Sequence, residues 1–300
     1  MRVPEKIGEL KSLLTVGTID AAGSRTVMKE VQKLTQLRKL GMMGITKPNS
    51  KHLCSTLEHL HHLRSLMVRS DDSLSRLDTV TSPPHRLETL KLHGSLGTLP
   101  RWTKTLHSLL KLCLRSTLLD GDAVQVIAKL PKLIVLRLLA KSLVVEEIAF
   151  PGGAFPKLEL LQLDQLENLM SLSIQGRALP NLEVLQVCRC SFLSEDSLRP
   201  FHSLARMKMV WMDGTLVQKQ PGQEFDMPSK GRPDERERLR RWREAALVLN
   251  RSRRFRYTLD LKKEEEKEQL RRKIRSQAHV IGAAFRFKEA GRANRSEIEE

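Results

Sequence analysis

A six-residue pattern, Leu-x-x-Leu-x-Leu, returns again and again along the first two-thirds of this 300-residue chain. It reads LRKLGM from Leu37, LRSLMV from Leu63, LETLKL from Leu87 and LLKLCL from Leu109. It continues as LIVLRL from Leu133, LELLQL from Leu158, LEVLQV from Leu182 and LARMKM from Leu204. Successive starts lie 26, 24, 22, 24, 25, 24 and 22 residues apart, and a degenerate copy, LKSLLT from Leu10, stands 27 residues before the first. A single copy would carry no information. A run of them at a near-constant period does, because one such unit cannot bury its own leucines and must stack on its neighbours to share a core.

The fold expected is α/β: a leucine-rich-repeat solenoid, or horseshoe, followed by a flexible linker and a small α-helical basic tail. Each repeat gives one short strand and a return segment. Pro100, Pro131, Pro156 and Pro180 fall in the returns, where they end helices without removing a ladder hydrogen bond. Strand alternation sends the fourth and sixth pattern positions inward and the third, fifth and seventh onto the concave face. Those outward positions read Lys39, Arg69, Lys91, Lys111, Arg115, Arg137, Arg206 and Lys208, with Asp164 as the acid and His93, Gln162 and Gln186 as polar neighbours. A basic inner surface that binds an acidic protein and a merely solvated face are both compatible with this composition.

Composition narrows the classes further. Apolar residues make up 40% of the chain but aromatics only 4%, so the core must be aliphatic. A net charge of +17 favours acidic partners without choosing among nucleic acid, an anionic membrane surface and an acidic protein. Cys54, Cys113, Cys188 and Cys190 have no paired metal-binding spacing, which fits a reducing compartment. Glu5, Lys6, Glu9 and Lys11 break any leader-like apolar run, and no stretch of about eighteen apolar residues offers a membrane span. An intracellular, soluble, cytoplasmic chain is expected, with peripheral membrane and nuclear locations left open.

The stretches VPEKIGELKSLLTV, LGTLPRWTKTLHSLLKLCL, LPKLIVLRL, FPKLELLQLDQLENL and LPNLEVLQV resemble the repeat region of plant nucleotide-binding leucine-rich-repeat immune receptors, from about residue 2 to residue 218. That resemblance implies a recognition surface for a pathogen effector or a nucleotide-binding module. It does not extend to a nucleotide switch, because the chain has no phosphate-binding G-x-x-x-x-G-K-[ST] loop.

After Trp211 the leucine pattern stops. VQKQPGQEFDMPSKGRPDE reads as a linker, which gives a repeat domain over 1–218, a linker over 219–233 and a helical segment over 234–300. Residues 231–300 hold 21 basic and 13 acidic residues, a net of +8, whereas the first 230 hold 31 and 22, a net of +9. The tail thus has about three times the charge density of the rest, as a separate unit would. One helix is expected over Asp234–Phe255, with Leu239, Trp242, Ala246 and Leu249 on one face. A second is expected from Leu261 to Ala290, with Leu270, Ile274, Ile281 and Phe285 as its stripe. Trp242, Leu249 and Phe255 stand at relative positions 1, 8 and 14, a spacing that suits the two Met-lined lobes of calmodulin. The same tryptophan could instead pack inside a small domain of its own.

RLRRWREAALVLNRSRRFRYTLDLKKEEEKEQLRRKIRSQAHVIGAAFRFKEAG resembles the N-terminal autoinhibitory, calmodulin-binding region of plant plasma-membrane-type calcium ATPases. The resemblance implies that calcium-loaded calmodulin grips Trp242, Leu249 and Phe255, with Arg241, Arg243, Arg253, Arg254 and Arg256 as charge partners. No transmembrane helix and no phosphorylated D-K-T-G motif follows in the sequence, so no pumping activity is expected.

No Ser/His/Asp constellation, G-x-S-x-G elbow or H-E-x-x-H helix is present, and His59, His61 and His62 lack the acids a metal site would need. The expectation is a non-enzymatic interaction protein with no cofactor and no metal. Regulation of a calcium ATPase in trans, nuclear or nucleic-acid targeting through RSRRFR and LRRKIR, and a fusion without joint function remain as alternatives.

Overall fold

Leucine at the first pattern position, followed by apolar residues at the fourth and sixth, builds the same strand in every repeat. The computed structural model describes residues 6–22, 25–212 and 215–218. The chain divides into two units, Met1–Pro233 and Asp234–Glu300, and all described residues lie in the first. Its strands are β1 (Thr15–Asp20), β2 (Lys39–Ile45), β3 (Ser65–Ser73), β4 (Thr89–Ser95), β5 (Lys111–Arg115) and β6 (Val135–Leu139). They continue as β7 (Glu147–Phe150), β8 (Leu160–Asp164), β9 (Ser171–Ile174), β10 (Val184–Cys188), β11 (Met209–Met212) and β12 (Thr215–Gln218). One ten-stranded sheet runs β1-β2-β3-β4-β5-β6-β8-β10-β11-β12, parallel up to β11 and closed by the antiparallel β12. β7 and β9 form a second, two-stranded parallel sheet in the returns of adjacent repeats.

Neighbouring strands meet at equal pattern positions. Leu66 stands beside Leu90, Leu90 beside Leu112, Leu112 beside Leu136 and Leu161 beside Leu185. All six are buried, as are Leu92, Leu114, Leu138 and Leu163 at the sixth position. Stacking extends one aliphatic core along the repeats, as the leucine period requires. Aromatics enter it at Trp102 and where Phe150 meets Phe155 and Phe201 edge-to-face with ring centroids 5.9 Å apart. Between repeats the carbonyl of the second pattern residue accepts two N–H groups: that of Arg38 from Arg64 and Ser65, that of Glu88 from Leu110 and Lys111.

The returns vary with the number of residues available. From Leu37 to Leu63 the chain has 26 residues and fits the ten-residue helix α2 (Ser50–His59), packed beside α1 (Arg25–Gln32) of the preceding repeat. From Leu87 to Leu109 it has 22 and fits only a 3-10 turn, Arg101–Thr105, because that helix covers more distance per residue. α3 (Gly121–Ala128) starts at Asp120, whose side chain accepts the N–H of Ala123. α4 (Arg199–His202) is a single turn.

The ends of the repeat array differ from the sequence expectation. The register pairs Thr15 with Lys39, so the first repeat begins at Leu13 and not at Leu10, which is 56% exposed. Val184 pairs with Met209, so the last begins at Met207 and not at Leu204. The cause is a second leucine, three residues before the first pattern position, in most repeats. A tight turn precedes most strands of the main sheet, and its hydrogen bond runs from the first pattern residue back three positions, as from Leu13 to Leu10, Leu37 to Leu34, Leu63 to Leu60 and Met207 to Leu204. Turn leucine and strand leucine share one spacing, and at both ends the turn leucine mimics the start of a strand.

The chain turns off the sheet through a left-handed residue at the eighth position in Gly44, Gly94, Ser116, Ala140, Gln165 and Arg189. Gly94 is the most demanding, with φ +127° and a Cβ that would lie 2.6 Å from the Ser70 carbonyl oxygen. Gly94→Ala is therefore expected to destabilise the repeat unit by about 2–4 kcal/mol, read as a lower urea midpoint. A midpoint equal to the parent's would disprove the strain.

Candidate partner-binding face

The third, fifth and seventh positions of the strands point away from the core. In β3–β6 the register stacks Arg69 beside His93 and His93 beside Arg115 at the seventh position. At the fifth, Lys91 stands beside Met67 on one side and Cys113 on the other, and Cys113 beside Arg137. Lys111 occupies the third position of β5, beside Thr89 and Val135. Lys39 lies at the corresponding place in β2. Adjacent strands are about 4.8 Å apart, so five cations and an imidazole share a few strand widths.

This crowding is visible in the titration of its members. His93 is pushed down to about 4 by burial first, then by the charges of Arg115, Lys91 and Arg69. Lys111 is also lowered, by burial first and then by Arg137 and Lys91. At neutral pH His93 is a neutral imidazole in a ring of positive charge. The sequence marked it only as a polar neighbour, and the signal for more was its place in register between two arginines.

Arg206 and Lys208 do not belong to this face. The shifted start of the last repeat puts Arg206 in the exposed turn before β11. Lys208 takes the second pattern position, where its Nζ lies 3.0 Å from Glu183 Oε2. Asp164 is on the face at the end of β8, but Arg189 neutralises it through a two-pronged contact of 2.9 Å from Nε to Oδ1 and 2.6 Å from Nη2 to Oδ2. Asp20 at the end of β1 is a further acid there, next to Met43. Beyond β5 the face changes character: Val135, Leu160, Val184 and Met209 fill the third position, and Gln162 and Gln186 the fifth.

His59, His61 and His62 do not converge on one site. His59 Nδ1 lies 2.8 Å from the Ser55 carbonyl and 3.0 Å from Gln32, while His62 lies 3.5 Å from Arg86. Among the described residues no group of three His, Cys, Asp or Glu side chains could hold a metal ion, and no helix is long and apolar enough to cross a membrane. The expected calmodulin contacts Trp242, Leu249, Phe255, Arg241, Arg243, Arg253, Arg254 and Arg256 lie outside the described residues.

Two known families match successive parts of the chain. Residues 222–266 match the Ca2+-ATPase N terminal autoinhibitory domain, and residues 1–220 match the leucine-rich repeat region. Plasma membrane-type calcium-transporting ATPase 5 of Oryza sativa subsp. japonica is 66% identical over 70 residues, which are 23% of this chain and 6% of the ATPase. Disease resistance protein RPM1 of Arabidopsis thaliana is 26% identical over 227 residues, covering 74% of this chain and 24% of that protein. The ectodomain of the Arabidopsis thaliana receptor kinase GASSHO1/SCHENGEN3 overlaps 66% of this chain and 26% of its own length at 16% identity, with a TM-score of 0.36. The chain thus spans under a tenth of the ATPase and about a quarter of the resistance protein. With 220 of its residues matched, the chain belongs to the leucine-rich-repeat family.

Proposed function

We propose that this chain is a non-enzymatic interaction protein that joins a recognition domain of the disease-resistance type, residues 1–218, to a calcium-dependent calmodulin-binding segment, residues 234–300, through a linker over 219–233. The observation that carries the recognition part is the stacking of Arg69, His93 and Arg115 beside Lys91, Lys111 and Arg137. A face that concentrates like charge and depresses its own imidazole is relieved by an acidic surface, which offsets the repulsion. A pathogen effector or a nucleotide-binding module would supply that surface. The calmodulin part is supported by the autoinhibitory-domain match and by the anchor spacing of Trp242, Leu249 and Phe255.

Polyglutamate is a direct probe of the face. Its affinity for the full chain is expected to fall about tenfold in a Lys91→Glu, Arg115→Glu double variant, with a shallower salt dependence. Unchanged affinity would remove the face from the reading. Duplex DNA binding more tightly than polyglutamate at matched salt would favour nucleic acid instead.

A further inference from the structure

Four large apolar side chains stand in the open where the chain leaves four consecutive repeats: Leu118, Val144, Met170 and Phe192, at 43%, 52%, 51% and 65% exposure. Each is next in sequence to a leucine that packs inward, Leu119, Leu143, Leu169 and Leu193. The exit segments are hydrogen-bonded side by side: Leu118 N–H to the Lys141 carbonyl, Val144 to Leu119, Met170 to Glu146 and Ser194 to Met170. The register sets Ser142 opposite Leu118 and Glu146 opposite Met170, so Val144 is offset by two residues from each, and the four form a staggered row with one member per repeat. Single exposed apolar residues are ordinary, but a row of them is an interaction signal.

The charge around the row runs against the character of the whole protein. Asp120, Asp122, Glu146, Glu147, Glu167 and Asp196 are exposed on the same exit segments. The cations on or beside them are paired: Lys141 is held by Glu167 at 3.3 Å, Arg189 by Asp164 at 2.6 Å and, at the margin, Arg199 by Asp196 at 2.9 Å. A chain of net charge +17 thus presents one acidic, apolar flank.

We propose that this flank of the fifth to eighth repeats docks a basic amphipathic helix, with its apolar stripe on Leu118, Val144, Met170 and Phe192 and its cations on the bordering carboxylates. The length fits. Three inter-repeat steps of about 4.8 Å span at least about 14 Å, the rise of nine or ten helical residues, so anchors at i, i+3 or i+4, i+7, and i+10 or i+11 would follow the row. An anionic membrane is disfavoured by the carboxylates, and four side chains offer too little area for a stable pair of copies. The site is independent of the basic inner face, which has the opposite charge and calls for the opposite partner.

The test offers a fluorescein-labelled peptide, RERLRRWREAALVLNRSRRFR, free in solution to the full chain, because its composition is the one required. The host carries Trp242→Asp and Leu249→Asp, so that its own copy of this sequence cannot compete. Saturable binding is expected by fluorescence anisotropy at physiological salt, weakened about tenfold or more when the host also carries Val144→Ser and Met170→Ser. Both positions are exposed, and an unchanged circular dichroism spectrum confirms the fold. A scrambled peptide with the same arginines and no apolar face should not bind. Binding that ignores the two serine substitutions, equal binding of the scrambled peptide, loss on Arg115→Glu, or a preference of the flank for phosphatidylserine vesicles would each overturn the proposal.

Discussion

Trp242→Ala is expected to weaken the binding of calcium-loaded calmodulin about 100-fold, a loss of about 3 kcal/mol. The reasoning is that of a helix in a groove. Trp242, Leu249 and Phe255 are separated by seven and six residues, so on a helix Trp242 and Leu249 share one side and Phe255 lies about 120° round from Leu249, which suits two lobes that wrap the helix. Tryptophan has the most area to lose on truncation, and the alanine leaves its pocket unfilled. Leu249→Ala should cost less, about tenfold. Arg253 and Arg254 should act chiefly through association rate and salt dependence, because charges at a rim steer encounter more than they hold the complex. Isothermal titration of the full chain with calmodulin, in calcium and then in excess chelator, reads all of these. A Trp242→Ala variant that still binds as the parent does, or parental binding that survives the chelator, would sink the calmodulin assignment.

The two parts of this proposal rest on different kinds of information. For the repeats, the sequence was enough to give the period, the inward positions and six of the eight basic residues on the inner face, because one leucine spacing encodes both strand and core. Where that spacing is ambiguous, reading it fails: Leu10 and Leu204 are turn residues, and with Leu204 the positions of Arg206 and Lys208 move off the face. The neutralisation of Asp164 was not legible either, because Arg189 lies 25 residues away and meets it only through stacking. The exposed row from Leu118 to Phe192 was hidden for a related reason. Leucines and their neighbours look alike in a leucine-rich sequence, and only the ladder tells which of two adjacent apolar residues turns outward. Trp242, Leu249 and Phe255 were legible through their spacing and the resemblance of the surrounding sequence.

The fold should also lose stability in acid at one identifiable place. His93 titrates near 4 in the folded chain against about 6.5 for a free histidine, so below 6.5 the unfolded chain binds the proton and the folded one does not. Stability is unaffected at neutral pH, falls as pH drops through 6.5, and the loss is complete near 4. By then it amounts to at most about 3 kcal/mol, less to the extent that the imidazole edge keeps contact with water. The His93→Gln variant removes this titration. The parent should therefore lose more stability than the variant between pH 6.5 and 4 in denaturant unfolding, and the two should run parallel above 7. Curves parallel throughout would mean that neither burial nor the surrounding cations hold the His93 value down. An acidic partner links the same group to binding: a carboxylate brought beside Arg69, Lys91 and Arg115 offsets their field, though not the burial, and raises the His93 value part of the way back. Polyglutamate should then bind more tightly to the parent as pH falls from 7 toward 5, and His93→Gln should flatten that dependence. The imidazole would in that case report whether the face is occupied, since an occupied face lets it take up a proton at a higher pH than an empty one.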